Sequence, residues 1–227
     1  MQVAPGVYAI RAVGSTAYLL GGIELTLVDA GGPGSAPRIM SYIRRLERQP
    51  QDLTRILLTH VDLDHAGGLA ALVAATGAAT YAHPEAVRRL RAGEMPRGGH
   101  GLRSSLSALR RLLSPVGAAP HAGPLTDGAL LPMLGGLQAI YTGGHSPDHV
   151  VYFARQSRLL LAGDLLQVSR GHLQALPGPG AHEREQAAIA LRRLADLDPL
   201  AVLPGHGPPY RNNIALRLAR LAEIAEG

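Results

Sequence analysis

Apolar residues along this chain come in short runs separated by glycine, proline and polar clusters, and few stretches carry a helical period. Val7–Ala12, Ala17–Leu20 and Ile23–Val28 read as opening strands, the third running into Asp29-Ala30-Gly31-Gly32, a loop signal. Ala36–Glu47 places Ile39, Ile43 and Leu46 on one side at helical spacing. Arg55–Leu58 predicts a short buried strand, Thr59–Gly68 a loop, Leu69–Ala75 a turn or two of helix and Thr80–Ala82 another strand. Strands resume at Leu137–Tyr141, Val150–Phe153 and Leu159–Ala162, followed by a loop rich in glycine and proline around 171–181. A helix is expected over Glu183–Leu197 and a short strand over Ala201–Leu203. Asn213 caps a last helix with Ile214, Leu218, Leu221 and Ala225 on one face. Strands interleaved with helices predict an α/β chain. With no linker or short-period repeat in its 227 residues, it reads as a single domain, 1–227.

The interval 83–127 resists this reading. Leu102, Leu106, Leu109 and Leu113 fall at helical spacing between Gly98-Gly99 and Pro115, with Arg103, Arg110 and Arg111 off the stripe. Charge is concentrated here: residues 85–111 hold seven arginines against Glu85 and Glu94, which accounts for the whole formal charge of +5. Two explanations stand side by side, a solvated face and an arginine-rich lid over 85–115 that would favour an anionic small-molecule substrate. A localised excess does not point to a nucleic-acid binder. The chain has no cysteine, so disulfides, thiolate metal sites and a cysteine nucleophile are excluded, and any metal must be held by nitrogen and oxygen. No signal peptide and no apolar run long enough to span a bilayer are visible, so a cytoplasmic monomer or homodimer without a membrane partner is expected.

The densest chemistry is Thr59-His60-Val61-Asp62-Leu63-Asp64-His65-Ala66-Gly67-Gly68. Four potential metal ligands crowd into six positions directly after a strand, and alternation would put His60, Asp62 and Asp64 on one side of an extended loop. Further ligand-type residues follow strands elsewhere: Asp164 after Ala162 and His206 after Leu203. Loops converging on strand ends are where active sites commonly sit.

This segment resembles the HxHxDH motif of the metallo-β-lactamase superfamily, here as His60-x-Asp62-x-Asp64-His65. Asp29-Ala30-Gly31, Thr142-Gly143-Gly144-His145-Ser146-Pro147-Asp148-His149, Leu161-Ala162-Gly163-Asp164 and Leu203-Pro204-Gly205-His206-Gly207 resemble that family's other motifs in the same order. The resemblance implies a four-layer αββα sandwich of two mixed sheets flanked by helices. It also implies two divalent metal ions, zinc first. One would be bound by His60, Asp62 and His145, the other by Asp64, His65 and His206, with Asp164 bridging. The activity implied is that of a metallo-hydrolase, in which a metal-bridged hydroxide attacks an ester, lactone, thioester or amide while Asp64 orients it and passes a proton to the leaving group. Asp29 is implied as a residue that holds a ligand rather than binding metal.

The chain departs from the family at Asp62, where histidine is usual. A carboxylate there weakens Lewis acidity and admits harder ions such as manganese or iron. It therefore keeps open a non-haem iron oxidoreductase of the same fold, a mononuclear site, or a degenerate binding module. His149 is expected to support a ligand or fix its loop rather than bind metal, and His172 to face substrate or solvent; His83, His100, His121 and His182 are expected to be structural or exposed.

Overall fold

The computed structural model describes residues 1–93 and 121–226. It divides into an N-terminal unit, Met1–Pro124, and a C-terminal unit, Leu125–Gly227. Most of the expected lid, including Arg97, Arg103, Arg110, Arg111, the leucine stripe and His100, lies outside the described residues.

In the N-terminal unit β1 (Gln2–Ala4), β2 (Val7–Arg11), β3 (Thr16–Leu20) and β4 (Leu25–Val28) pair antiparallel in sequence order. The sheet continues in parallel through β5 (Leu53–Leu57), β6 (Ala79–Ala82) and β7 (Gly123–Pro124). Parallel neighbours need a crossover, which helices supply here. α1 (Ala36–Arg45) joins β4 to β5; α2 (Leu63–Ala66) and α3 (Leu69–Thr76) join β5 to β6, and α4 (Pro84–Arg91) follows β6. The α1 stripe works as its spacing predicts: Ala36, Ile39 and Ile43 are buried in one cluster with Leu19, Leu27, Ile56, Leu58 and Val61. Each buried leucine, isoleucine or valine among them contributes about 1.5–3 kcal/mol by leaving water.

In the C-terminal unit β8 (Leu130–Leu131), β9 (Leu137–Tyr141), β10 (Val150–Ala154), β11 (Leu159–Ser169) and β12 (His172–Ala175) pair antiparallel in order. After α5 (Ala181–Asp196), β13 (Ala201–His206) returns to lie parallel to β11, and α6 (Ile214–Glu226) packs on α5. A second core gathers Val151, Phe153, Leu160 and Ala162 from the sheet with Leu191, Leu194 and Leu218 from the helices. Each unit thus carries a sheet with helices packed on it, the α/β class expected. Among the described residues no helix is long and apolar enough to cross a membrane.

Three expectations are corrected. The loop at Thr59–Gly68 contains α2, a helix too short to show a period. The strand expected to end at Ala162 runs on to Ser169, because Gly163 (φ +50°) breaks the apolar pattern without ending the strand. The register of β11 against β13 shifts on both sides of Gly163, the mark of a bulge. The expected loop around 171–181 begins as β12, whose Val168↔Leu173 and Ser169↔His172 pairings close a tight hairpin at Arg170-Gly171.

Candidate metal centre

In the N-terminal unit the backbone leaves β5 still extended, with the Leu58 N–H donating to the Tyr81 carbonyl at 3.0 Å. Val61 is fully buried in the aliphatic core, which turns His60 and Asp62 the other way. Asp62 is extended at φ −107° and ψ 157°, and the chain then turns into α2, with the N–H groups of His65 and Ala66 donating to the Asp62 carbonyl. The expected alternation therefore holds for His60 and Asp62 and fails at Asp64, which sits in the first turn of a helix. The Asp62 carboxylate does not cap α2; its Oδ2 lies 3.7 Å from His60 Nε2. The His60 and His65 rings are 4.3 Å apart, and Asp64 and His65 can each bring a ligand atom within 4.8 Å of the other.

A single carboxylate holds both rings. Asp29 accepts from the Thr59 N–H at 2.8 Å and from the Thr59 hydroxyl, and its Oδ2 lies 2.8 Å from His65 Nδ1. The Thr59 hydroxyl spends its proton on Asp29, so at 2.9 Å it accepts from His60 Nδ1. Both imidazoles thereby carry their proton on Nδ1 and their lone pair on Nε2, the arrangement that outer carboxylates impose on metal-binding histidines. Asp29 is 2% exposed and has φ +63°, a conformation that aspartate tolerates better than most residues. Backbone strain of this kind gathers at functional sites. Burial first, and the Asp29 charge second, push the Tyr18 phenol far above its ordinary value, so Tyr18 stays neutral. The turn before β3 braces Asp64: the Ser15 hydroxyl donates to the Asp64 carbonyl at 2.6 Å. Gly14 lies so close that an added Cβ would stand 2.5 Å from Asp64 Cβ.

The C-terminal unit presents its donors from a loop, from within β11 and from the end of β13. His145, in the loop between β9 and β10, donates through Nδ1 to the Leu176 carbonyl at 2.8 Å, which again leaves the lone pair on Nε2. Asp164 follows the Gly163 bulge, and its Oδ2 lies 3.1 Å from His206 Nε2 and 4.0 Å from His145 Nε2. His206 is the last residue of β13. The loop carrying His145 seats tightly on α5, where a side chain at Gly144 would meet the Ala187 backbone at 2.4 Å.

Of the lesser candidates, His149 is fully buried and bonds to Thr142 and to the Asp164 backbone. His172 is exposed on β12, and His121 and His182 are exposed. His83 caps α4 by accepting from the Glu85 N–H at 3.1 Å. Sequence reasoning missed Thr59, Ser15 and the Leu176 carbonyl, partners of candidate ligands, and Thr142, the partner of His149. Their only sequence signal is a hydroxyl next to a candidate histidine, present at Thr59 and absent at Ser15 and Leu176.

The profile of the metallo-beta-lactamase superfamily matches residues 10–206. A probable metallo-hydrolase of Bacillus subtilis, YflN, is 30% identical over 195 residues, covering 79% of this chain and 74% of its own length. Among solved structures, a metallo-beta-lactamase family protein of Thermus thermophilus superposes with a TM-score of 0.71 at 24% identity, over 99% of this chain and 79% of its own. A B3 metallo-beta-lactamase with an active-site glutamic acid superposes with a TM-score of 0.68 at 24% identity, over 99% and 89%. At these identities the structures speak for the fold, while the profile spans both donor sets. The chain belongs to the metallo-beta-lactamase superfamily.

Proposed function

We propose that this chain is a metal-dependent hydrolase acting on an ester, lactone, thioester or amide. In this reading His60, Asp62, Asp64, His65, His145, Asp164 and His206 together hold two divalent cations. His60, Asp62 and His145 serve one ion, Asp64, His65 and His206 the other, and Asp164 is shared. The observation that carries the reading is the orientation of His60, His65 and His145, each held through Nδ1 with its lone pair on Nε2. Buried imidazole nitrogens and carboxylate oxygens so arranged suit zinc, manganese or iron. When bound, such cations supply Lewis acidity and a water that ionises near neutral pH.

The residues do the rest. Asp64, braced by Ser15 through its backbone carbonyl, accepts the proton of the attacking water and returns it to the leaving group. Asp29 keeps two rings aimed while remaining outside the set of ligands. His172, exposed on β12, is available to meet the substrate.

Asp62 gives weight to a second reading, a non-haem iron oxidoreductase, because an added carboxylate favours harder, redox-active ions. The glutamic acid named in the active site of a solved neighbour supports a carboxylate being tolerated among the site groups of this fold. One experiment separates the readings: chromogenic ester, lactone, thioester and β-lactam substrates assayed with protein loaded with zinc, manganese or iron. The proposal expects hydrolysis of at least one class, abolished by chelator. Hydrolysis of none, with oxygen consumed only by the iron-loaded form, would favour the second reading. Asp62→Ala should lower metal stoichiometry, and Asp62→His should move the preference toward zinc; identical titrations for all three proteins would show that Asp62 is not a ligand.

A further inference from the structure

We propose that His149 is a positioning residue that sets the backbone from which Asp164 projects, and so joins the bulge of β11 at Asp164 to the loop carrying His145. The reading rests on hydrogen bonds whose direction is fixed. The Asp164 amide can only donate, and it lies 3.1 Å from His149 Nε2. Nε2 must therefore carry the lone pair, and the ring proton is on Nδ1. Nδ1 lies 2.7 Å from the Thr142 hydroxyl, which donates its own proton to the His149 carbonyl at 3.2 Å. The ring is fully buried, and its loop is closed by Thr142 N–H to the His149 carbonyl and His149 N–H to the Ser146 carbonyl.

This placement answers a local need. The Gly163 bulge shifts the β11 register against β13 at Leu161/Gly163 and again at Gly163/Gln167. The extra residue of a bulge falls out of the ladder, so its peptide groups need partners from elsewhere. For the Asp164 amide the partner is an imidazole on the neighbouring loop. A second connection runs the other way: Leu176 donates its N–H to the Leu165 carbonyl and accepts from His145 Nδ1. His145 and Asp164 are thus linked twice, through His149 and Thr142 and through Leu176 and Leu165. The Leu176 link orients the His145 ring; the His149 link orients the Asp164 main chain. The metal consequence rests on the proposed function, but the hydrogen bond does not.

The test has two arms. In metal-free protein labelled with 15N, a scalar coupling across the N–H···N bond should connect the Asp164 amide to His149 Nε2, with the ring in the Nδ1–H form. An Nε2–H tautomer, or no coupling to an assigned Asp164 amide, would overturn the proposal whether or not the protein binds metal. In the second arm, cobalt(II) affinity and the cobalt absorption spectrum are compared for His149→Gln, His149→Asn and His149→Ala. Glutamine keeps an acceptor at the reach of Nε2, whereas asparagine keeps polarity only at the reach of Nδ1. Gln should stay within about threefold of the parent, while Asn and Ala lose about 10–100-fold with an altered spectrum, as outer partners of ligands do. If Asn retains affinity and Gln loses it, or all three behave alike, His149 does not act through Asp164. A parent protein that binds no cobalt would defeat the proposed function and leave the first arm to decide the hydrogen bond.

Discussion

In the N-terminal unit four candidate donors lie within six positions, His60 to His65, whereas in the C-terminal unit His145, Asp164 and His206 come from three separate places, a loop, the bulge within β11 and the end of β13. The means of support differ as well. Two N-terminal rings depend on one carboxylate, Asp29, directly or through Thr59. The C-terminal donors are held one by one: His145 by the Leu176 carbonyl, Asp164 through its own amide on the His149 imidazole, and His206 by the pairing of β13 with β11. A cluster packed into one loop is easily written in sequence but leans on a single distant side chain. A set spread over a sheet is written weakly but inherits the rigidity of strand register.

That contrast predicts unequal responses to substitution. The largest effect is expected at the proposed shared ligand: Asp164→Ala, and after it His206→Ala, should lower kcat by more than the roughly 100-fold typical of losing an outer partner. Circular dichroism in the presence of metal should remain that of the parent. Turnover near the parent value in either variant would remove that residue from the machinery.

Asp29→Asn comes next. The amide keeps an acceptor for Thr59 or for His65 but not the charge that both lean on, so metal affinity should fall by about 10–100-fold. Because His60 and His65 are served by the same group, metal should be lost from both proposed positions together. Loss from one position alone, read by stepwise titration, would break the picture of Asp29 as a common support. Asp29→Ala should in addition cost about 1–3 kcal/mol of stability by stranding buried donors.

How far the sequence carried these contrasts follows from the range over which each feature is encoded. The α1 stripe of Ile39 and Ile43 and the crowding of His60 to His65 are local and legible. The Asp29–Thr59–His60 relay spans thirty-one positions between its ends and depends on a left-handed backbone at Asp29 that no pattern announces. Gly163 looked like a strand end because a bulge and a terminus interrupt alternation in the same way. β12 was hidden because four residues beside Gly171 and the Pro177-Gly178-Pro179-Gly180 run carry too little pattern to outweigh their turn-forming neighbours. The membership of α2 was hidden for the same reason, since four residues cannot display a period of 3.6.

The smallest expected effect lies at a residue outside both donor sets and serves as a control. Arg48 first, through a 2.7 Å ion pair, and then the Gln49 amide hold the Asp52 carboxyl below its ordinary value of 3.8. A folded value depressed below the unfolded one adds stability above the ordinary value and loses it as pH falls through the folded one. The stability difference between the parent and Asp52→Asn should therefore be full at neutral pH and fade below about pH 4, and added salt should shrink it. Urea unfolding across pH should show this with metal content unchanged; a metal-linked change would mean that this half-buried pair is tied to the site.

The central claim is that the two donor sets hold metal, and elemental analysis of purified protein, paired with thermal unfolding before and after chelation, tests it most directly. The account predicts between one and two transition-metal ions per chain and a lower Tm once they are removed, because crowded carboxylates repel one another without the cation. Protein containing no bound metal after growth and reloading with zinc, manganese and iron, and with a Tm indifferent to chelator, would contradict it.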